Sequence, residues 1–441
     1  MPNMENIVIV GGGAGGLALA TQLGNKFKRS KKVQVILVDK NPSHIWKPLL
    51  HEVAAGSIDS AFDELNYRYH GKKKHFNFIL GSLETIDRDK STLVLAERRD
   101  DAGELITPKQ HLHYDYAVIA IGGVSNDFGV PGAKEHCYFL DDKDQAERFH
   151  QHLLNQTDRL SCESLNSTAD TNNSAPPVLR IGIVGGGATG VELAAELQHT
   201  AQGLSGYQRN VAGKVDYKIT LLEAGPRILP ALSEKLSNAA QRTLEKIGID
   251  VHCNTGVKSC SAEGFITPDD TIACNIRVWA AGIKAPSQLA SIAGLECNNR
   301  NQLLVKPTLQ SSNDERIFVI GDCASCALPS GGFAPPRAQA AHQMATLVYK
   351  NILRSHRNKP LREFRYRDYG SLVSLSNFNT VGGLMSGFVG SEMRIGGPIA
   401  RLAYLSLYRM HLLAIHGIYN SLLIALAGRI HRAIKPKLKL H

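Results

Sequence analysis

Two stretches of this chain place glycines at a spacing suited to holding phosphates. Gly11-Gly12-Gly13-Ala14-Gly15-Gly16 follows the apolar run Ile7-Val8-Ile9-Val10, and Gly185-Gly186-Gly187-Ala188-Thr189-Gly190 follows Ile181-Gly182-Ile183-Val184. Both fit G-x-G-x-x-G between a predicted strand and a predicted helix. In that pattern one glycine permits the tight turn, one lets a pyrophosphate reach the backbone, and one lets helix and strand pack closely. The helix N-terminus adds N–H groups and the positive end of its dipole. A single copy also serves plain strand–helix packing. Two copies in one chain predict two dinucleotides and electron transfer between them.

An acid at the end of the next strand supports each copy, because a ribose needs an acceptor for its hydroxyls there. Val33 to Val38 reads as one such strand and Asp39 ends it; Lys218 to Leu222 reads as the other and Glu223 ends it. The second interval exceeds the usual spacing of about 20 residues, and Gly203 to Asp216 reads as the insertion responsible. A carboxylate at the ribose edge accepts from a 2′-hydroxyl and repels a 2′-phosphate, so Glu223 argues for NAD(H) over NADP(H). Arg227, four residues on, would soften that preference.

These residues need α/β units to position them. Residues 1 to about 140 read as one unit and 178 to about 300 as a second, with further strands between Ile249 and Ala281. Residues 155–177 are rich in Ser, Thr, Asn and Asp, end in Pro176-Pro177, and read as a loop or linker. Arg316 to Ile320 is a further strand, closed by Gly321-Asp322; an acid there suits a polyhydroxyl chain such as a ribityl group, or caps the next helix. Residues Leu361 to Gly390 read as short strands with turns at Gly370, Gly382-Gly383 and Gly387. Lys72-Lys73-Lys74 reads as a solvated loop, not a nucleic-acid site.

The length of 441 residues allows two or three domains. The eight cysteines are scattered, which suits a reduced compartment. Only Cys323 and Cys326 form C-x-x-C; with no second pair or histidines nearby, no metal is expected. The net charge of +10 is uneven: after Glu392 there is no acid, and Arg394, Arg401, Arg409, Arg429, Arg432, Lys435, Lys437 and Lys439 leave +2 for the rest. Leucines and isoleucines fill the spaces between those charges, so an anionic membrane is the expected partner.

The chain resembles the bacterial type II NADH dehydrogenases, single-subunit flavoprotein NADH:quinone oxidoreductases. The segments that carry the likeness are Ile9 to Gly16, Asp39 to Ala55 (DKNPSHIWKPLLHEVAA), Gly185 to Glu196 (GGGATGVELAAE), Leu222 to Leu229 (LEAGPRIL), Trp279 to Lys284 (WAAGIK), Ile317 to Ala324 (IFVIGDCA) and Ala338 to Gln343 (AQAAHQ). The resemblance implies an α/β fold with two Rossmann-like dinucleotide-binding domains. An FAD domain (1–145 and 300–350) is split by an inserted NADH domain (178–299), and residues 351–441 supply strands and amphipathic membrane-anchoring helices. It implies that Gly11, Gly12, Gly13, Ala14, Gly15, Gly16 and Asp39 hold a tight, non-covalent FAD, with Lys40, Pro48, Leu83, Gly321, Asp322, Ala338 and Gln339 around it. Gly185, Gly187, Gly190, Glu223 and Gly282 would hold the substrate NADH. Glu192 matches an acid placed near nicotinamide and flavin; its plainer reading is a first-turn acid favoured by the helix dipole. Gln339, Ala341 and Gln343 match the quinone pattern A-Q-x-A-x-Q, with the two amides one helical turn apart.

Disulfide reductases of this superfamily carry C-x-x-x-x-C soon after the first ribose acid. Residues 40 to 60 hold no cysteine, so a dithiol relay is not expected. The expected reaction is hydride transfer from NADH to flavin, then two electrons to a quinone, with no proton pumping and no proton donor identifiable from sequence. Met410 to Gly428 is long enough to span a bilayer, but His411, His416, Asn420, Arg409 and Arg429 suit an interfacial helix better. The enzyme is therefore expected to be peripheral, on the cytoplasmic face of the cell membrane, with a homodimer left open. A sulfide:quinone oxidoreductase-like enzyme, or a flavoprotein switched by NADH to bind partners, are the competing readings.

Overall fold

A computed structural model describes residues 4–167, 176–207, 214–375, 379–385, 392–396 and 412–434. The chain divides into two compact units, residues 1–46 with 64–124 and 283–367, and residues 47–63 with 125–282 and 368–441. The grouping differs from the expected bounds. Residues 47–63 and 125–145 group with the second glycine motif, and 283–299 with the first.

In the first unit the β-branched run of strand Glu5–Val10 sits mid-sheet, with Ile7, Val8 and Ile9 fully buried. A strand covered on both faces reads as a continuous apolar run. The sheet order is Gln310–Ser311, Asp314–Val319, Tyr116–Ile119, Glu5–Val10, Val33–Asp39, Asn77–Leu80. All neighbours are parallel except the first pair. Helix Ala14–Phe27 leaves the end of Glu5–Val10 and packs against helix Ala338–Ser355. Lys72-Lys73-Lys74 is not a loop. It forms the last turn of helix Tyr67–Lys74, where positive charge meets the negative end of the dipole.

The second unit repeats the scheme in a four-stranded parallel sheet ordered Ile249–His252, Asp216–Leu222, Val178–Val184, Ile276–Trp279. Helix Ala188–Tyr207 follows its glycine turn. Residues 208–213, within the expected insertion, lie outside the described residues. The expected linker at 155–177 is corrected: its first part belongs to helix Lys143–Ser167, while 168–175 lie outside the described residues. Phe149, Leu153, Thr157 and Ser161 recur every fourth residue and are all buried, so small polar residues continue an apolar stripe. Thr157 reaches the hydroxyl of Tyr217 at 3.0 Å.

Strands Ser371–Leu375, Asn379–Met385 and Glu392–Gly396 form an antiparallel sheet. Gly382 and Gly383 lie inside the middle strand, not at a turn, whereas Gly370 does take a left-handed conformation at φ +100°; Gly387 lies outside the described residues. Residues 412–416 and Ile418–Ile434 are helical.

Candidate functional site

The first glycine turn is held from three sides. Gly11 has φ +104°, and a Cβ there would lie 2.3 Å from the carbonyl oxygen of Ala120, so only glycine fits. The Gly12 N–H donates to Asp39 Oδ2 at 2.6 Å, and Asp39 Oδ1 accepts from Asn41 N–H at 2.8 Å. Buried Tyr67 donates its hydroxyl to the Gly12 carbonyl at 2.7 Å. Burial, and secondarily Asp39, raises its phenol well above the ordinary range, so it remains a donor. Gly13 is different. It is exposed, nothing lies within 4 Å of where its Cβ would be, and no side chain caps the helix start. That is the open cradle a pyrophosphate requires.

The same turn gathers distant segments. A Cβ on Gly15 would lie 3.1 Å from Ala341 O and 3.3 Å from Ile320 Cδ1, and Gly321 N–H donates to Met344 Sδ at 3.2 Å. The first glycine motif, Gly321-Asp322 and the A-Q-x-A-x-Q helix thus meet within one unit. Ala14 and Asp322 are half-buried and Lys40 is exposed. Leu83 instead packs in the hydrophobic core with Val10 and Val38, leaving only its backbone for a ligand. Pro48 lies in the Lys47–Leu49 turn of the second unit.

The glutamines are already engaged. Gln343 donates Nε2–H to Arg367 O at 2.8 Å and accepts Arg367 N–H at 2.9 Å. Gln339 Oε1 accepts the Tyr366 hydroxyl at 2.6 Å. Gln343 therefore acts as a brace for residues 366–367, and Gln339 retains its amide N–H groups for a ligand. Ala338 is half-buried at the helix start and Ala341 is buried against Gly15.

The second turn repeats the first. Gly185 has φ +112°; Gly186 N–H donates to Glu223 Oε2 at 2.6 Å, and Glu223 Oε1 accepts Gly225 N–H at 2.7 Å. Gly187 again faces open space, while a Cβ on Gly190 would lie 2.0 Å from Gly185 O. Each carboxylate oxygen can take a second donor, so a ribose hydroxyl can still be held. Sequence reading missed that both ribose acids also tie down their glycine turns. Arg227 is turned inward, donating to the carbonyls of Leu229, Pro230 and Leu232, and so does not offset Glu223. Gly282 lies against the ring of Phe128.

Glu192 sits past the first turn of helix Ala188–Tyr207, which has no acid in that turn. Its carboxyl is buried, accepts Ser374 N–H at 3.0 Å through Oε1, and is pushed up to about 8 by burial. It therefore carries a proton at neutral pH. The resemblance singled out Glu192 but gave no sign of the histidine beside it. His51, buried on helix Leu50–Ala55, places Nδ1 at 3.7 Å from Glu192 Oε2 and Nε2 at 3.9 Å from Glu52 Oε1. Burial lowers His51 to about 4, against the pull of Glu196.

Cys323 and Cys326 are buried, and burial pushes their thiols up to about 12 and about 11. Such thiols are poor nucleophiles.

Residues 5–345 match the model of the pyridine nucleotide-disulphide oxidoreductase family. The type II NADH:quinone oxidoreductase of Haemophilus influenzae is 46% identical, over 99% of this chain and all of that protein. Among solved structures, NDH2 from Plasmodium falciparum in complex with NADH superposes with a TM-score of 0.79 at 19% identity, covering 99% of this chain and all of that one. The sulfide:quinone oxidoreductase of Aquifex aeolicus gives 0.68 at 19% identity, covering 98% of this chain and 95% of that one. At that identity the fold alone is shared, so fold does not separate the two chemistries. Full-length identity does: this chain belongs to the pyridine nucleotide-disulphide oxidoreductases and, among them, to the type II NADH:quinone oxidoreductases.

Proposed function

We propose that the protein is an FAD-dependent oxidoreductase that oxidises NADH and reduces a quinone. The observation that carries this is the doubled turn: Gly12 N–H on Asp39 and Gly186 N–H on Glu223, both at 2.6 Å, with Gly13 and Gly187 both facing open space. The first unit suits FAD through Gly11 to Gly16, Asp39, Gly321 and Asp322; the second suits NADH through Gly185 to Gly190 and Glu223. FAD, when bound, supplies the two-electron chemistry that links a hydride donor to a quinone. Glu223 favours a free 2′-hydroxyl on the adenosine ribose. Glu192, buried and held protonated by that burial, is the acid of the second unit suited to proton chemistry.

The exposed side of helix Ile418–Ile434 supports action at a membrane surface. Ile418, Tyr419, Leu422, Leu423, Leu426 and Ile430 are all at least half exposed or close to it, from 47% to 74%. Such an apolar stripe, with basic residues in the tail, suits a helix lying in the lipid interface. No helix among the described residues is long and apolar enough to cross a membrane. Arg409 and His411 lie outside the described residues. The reading places the enzyme as a peripheral protein on the cytoplasmic face.

Anaerobic titration of the flavin-loaded protein tests the function. NADH is expected to bleach the yellow absorbance and a soluble quinone to restore it. Bleaching by sulfide and not by NADH would overturn the assignment in favour of the sulfide:quinone reading, which the raised Cys323 and Cys326 thiols already disfavour.

A further inference from the structure

Most thiols of this chain are committed to oxygen atoms. Cys253, Cys274, Cys297, Cys323 and Cys326 each donate to a carbonyl or amide oxygen, and Cys162 is exposed. Cys137 and Cys260 differ. They lie far apart in the sequence, yet their side chains hydrogen-bond to each other inside the second unit.

The fold presses the two segments together. Cys137 follows the short helix Ala133–His136, and Cys260 ends strand Ser259–Cys260 of a three-stranded antiparallel sheet. Cys260 N–H donates to Pro131 O at 2.9 Å. Gly132 has φ +75°, and a Cβ there would lie 2.0 Å from Cys260 O, so the close approach requires glycine. Both cysteines pack in one apolar cluster with Phe265 and Trp279. Arg277 ties the segments at the same point: its guanidinium donates to His136 O at 3.0 Å, to Ala262 O at 2.6 Å and to Cys274 O at 2.7 Å. Cys260 is 6% exposed and Cys137 is only partly buried, so the Cys137 side is the open one.

The two sulfurs are unequal. The hydrogen bond from Cys137, helped by the Arg277 charge and opposed by burial, lowers the Cys260 thiol below its ordinary value. The same bond, with burial, raises Cys137. The thiolate is the nucleophile, so Cys260 is the sulfur readied to attack and Cys137 the one placed to resolve.

We propose that Cys137 and Cys260 form a dithiol site that a hydroperoxide converts to a reversible disulfide. Cys260 gives its proton to water, and the thiolate attacks a peroxide oxygen. An S–O bond forms, the O–O bond breaks, and the departing oxygen takes up a proton as an alcohol, or as water from hydrogen peroxide. The Cys137 sulfur then attacks the sulfenic sulfur of Cys260. The S–S bond forms, the S–O bond breaks, and hydroxide leaves with the Cys137 proton as water. Two thiols are oxidised by two electrons in all, and one hydroperoxide is reduced. From hydrogen-bond contact the sulfurs need only close to about 2.05 Å. In a reducing compartment such a bond is transient and redox-sensing, not structural. This chemistry stands whichever acceptor the flavin serves.

The test uses reduced, full-length, flavin-loaded protein. It is exposed to hydrogen peroxide, denatured in an alkylating reagent and digested without reduction for mass spectrometry. The first oxidised product is expected to be a peptide pair joined through Cys137 and Cys260, lost again after dithiothreitol, while Cys162, Cys323 and Cys326 are still alkylated. Cys137→Ser should lose the link and leave Cys260 as a sulfenic acid that dimedone traps. Cys260→Ser should lose both the link and the dimedone adduct. Flavin absorbance confirms that each variant is folded. A first disulfide between any other pair, or oxidation of Cys137 and Cys260 to sulfinic acids without a link, overturns the proposal. So does an equal yield of the link from urea-unfolded protein, because the fold would then have no part in joining the two.

Discussion

Replacing Glu192 by Gln should make the protein more resistant to alkaline pH. Burial raises this carboxyl from its ordinary 4.5 to about 8. The folded state therefore keeps a proton that the unfolded chain has already released. A raised value stabilises below the unfolded pKa, and that stability is lost as pH climbs through the folded one. The window runs from about 4.5 to about 8, and at about 1.4 kcal/mol per unit the whole interval is worth at most about 5 kcal/mol. Between pH 7 and 9 only the last unit remains, so wild type should lose about 1–2 kcal/mol from this group. That corresponds to a melting shift of about 2–8 °C for a unit of this size. Gln has no proton to lose and keeps the oxygen that accepts Ser374 N–H. His51 does not interfere: its value is depressed to about 4, so its contribution is complete above the ordinary histidine range and fades only on the acid side. Calorimetry of flavin-loaded wild type and variant at pH 7, 8 and 9 checks this. The melting temperatures should converge or cross in favour of the variant as pH rises. Parallel pH dependences would refute the claim that burial keeps Glu192 protonated.

The glycine turns make a paired prediction. Gly11→Ala puts a Cβ at φ +104° and 2.3 Å from Ala120 O, so it should lower the melting temperature and shed flavin together. Gly13→Ala meets no protein atom and should melt as wild type while losing at least about 10-fold in FAD affinity, about 1.4 kcal/mol; Gly187→Ala should raise KM for NADH to a similar degree with flavin content unchanged. Retained affinity in both would mean that no pyrophosphate lies against these positions. Truncation after Gly396 removes helix Ile418–Ile434 with its apolar stripe, and sedimentation with anionic vesicles should be lost; a truncate that still pellets with them sinks the anchor.

What the sequence made legible was local in the chain. An apolar run, a glycine turn and an acid one strand later all lie within one βαβ unit, and each turn appears in the structure with its acid bonded to it. The strands between Ile249 and Ala281 were legible for the same reason. Errors came where composition stood in for position. Ser, Thr and Asn between 155 and 167 suggest a loop, yet Thr157 and Ser161 fall on the buried stripe of a helix and are small enough to stay there. Gly382-Gly383 suggests a turn, yet cross-strand pairing with Leu372 and Ser371 on one side and Ile395 and Arg394 on the other holds it extended.

The acid–base cluster was illegible for a deeper reason. The resemblance singled out Glu192 and the segment that holds Leu50-His51-Glu52-Val53, but neither stretch shows from its own residues that the two meet. Their chemistry depends on 141 residues of separation closing to 3.7 Å, and on the loss of water around both. On a surface the same carboxyl would be ionised and the same imidazole about one quarter charged at neutral pH. Buried together, the acid is protonated and the base is neutral, so each stands in the state from which a proton can move. These protonation states belong to the tertiary fold, and substitutions that admit water beside His51 should bring both groups back toward their ordinary values even where every titratable residue is kept.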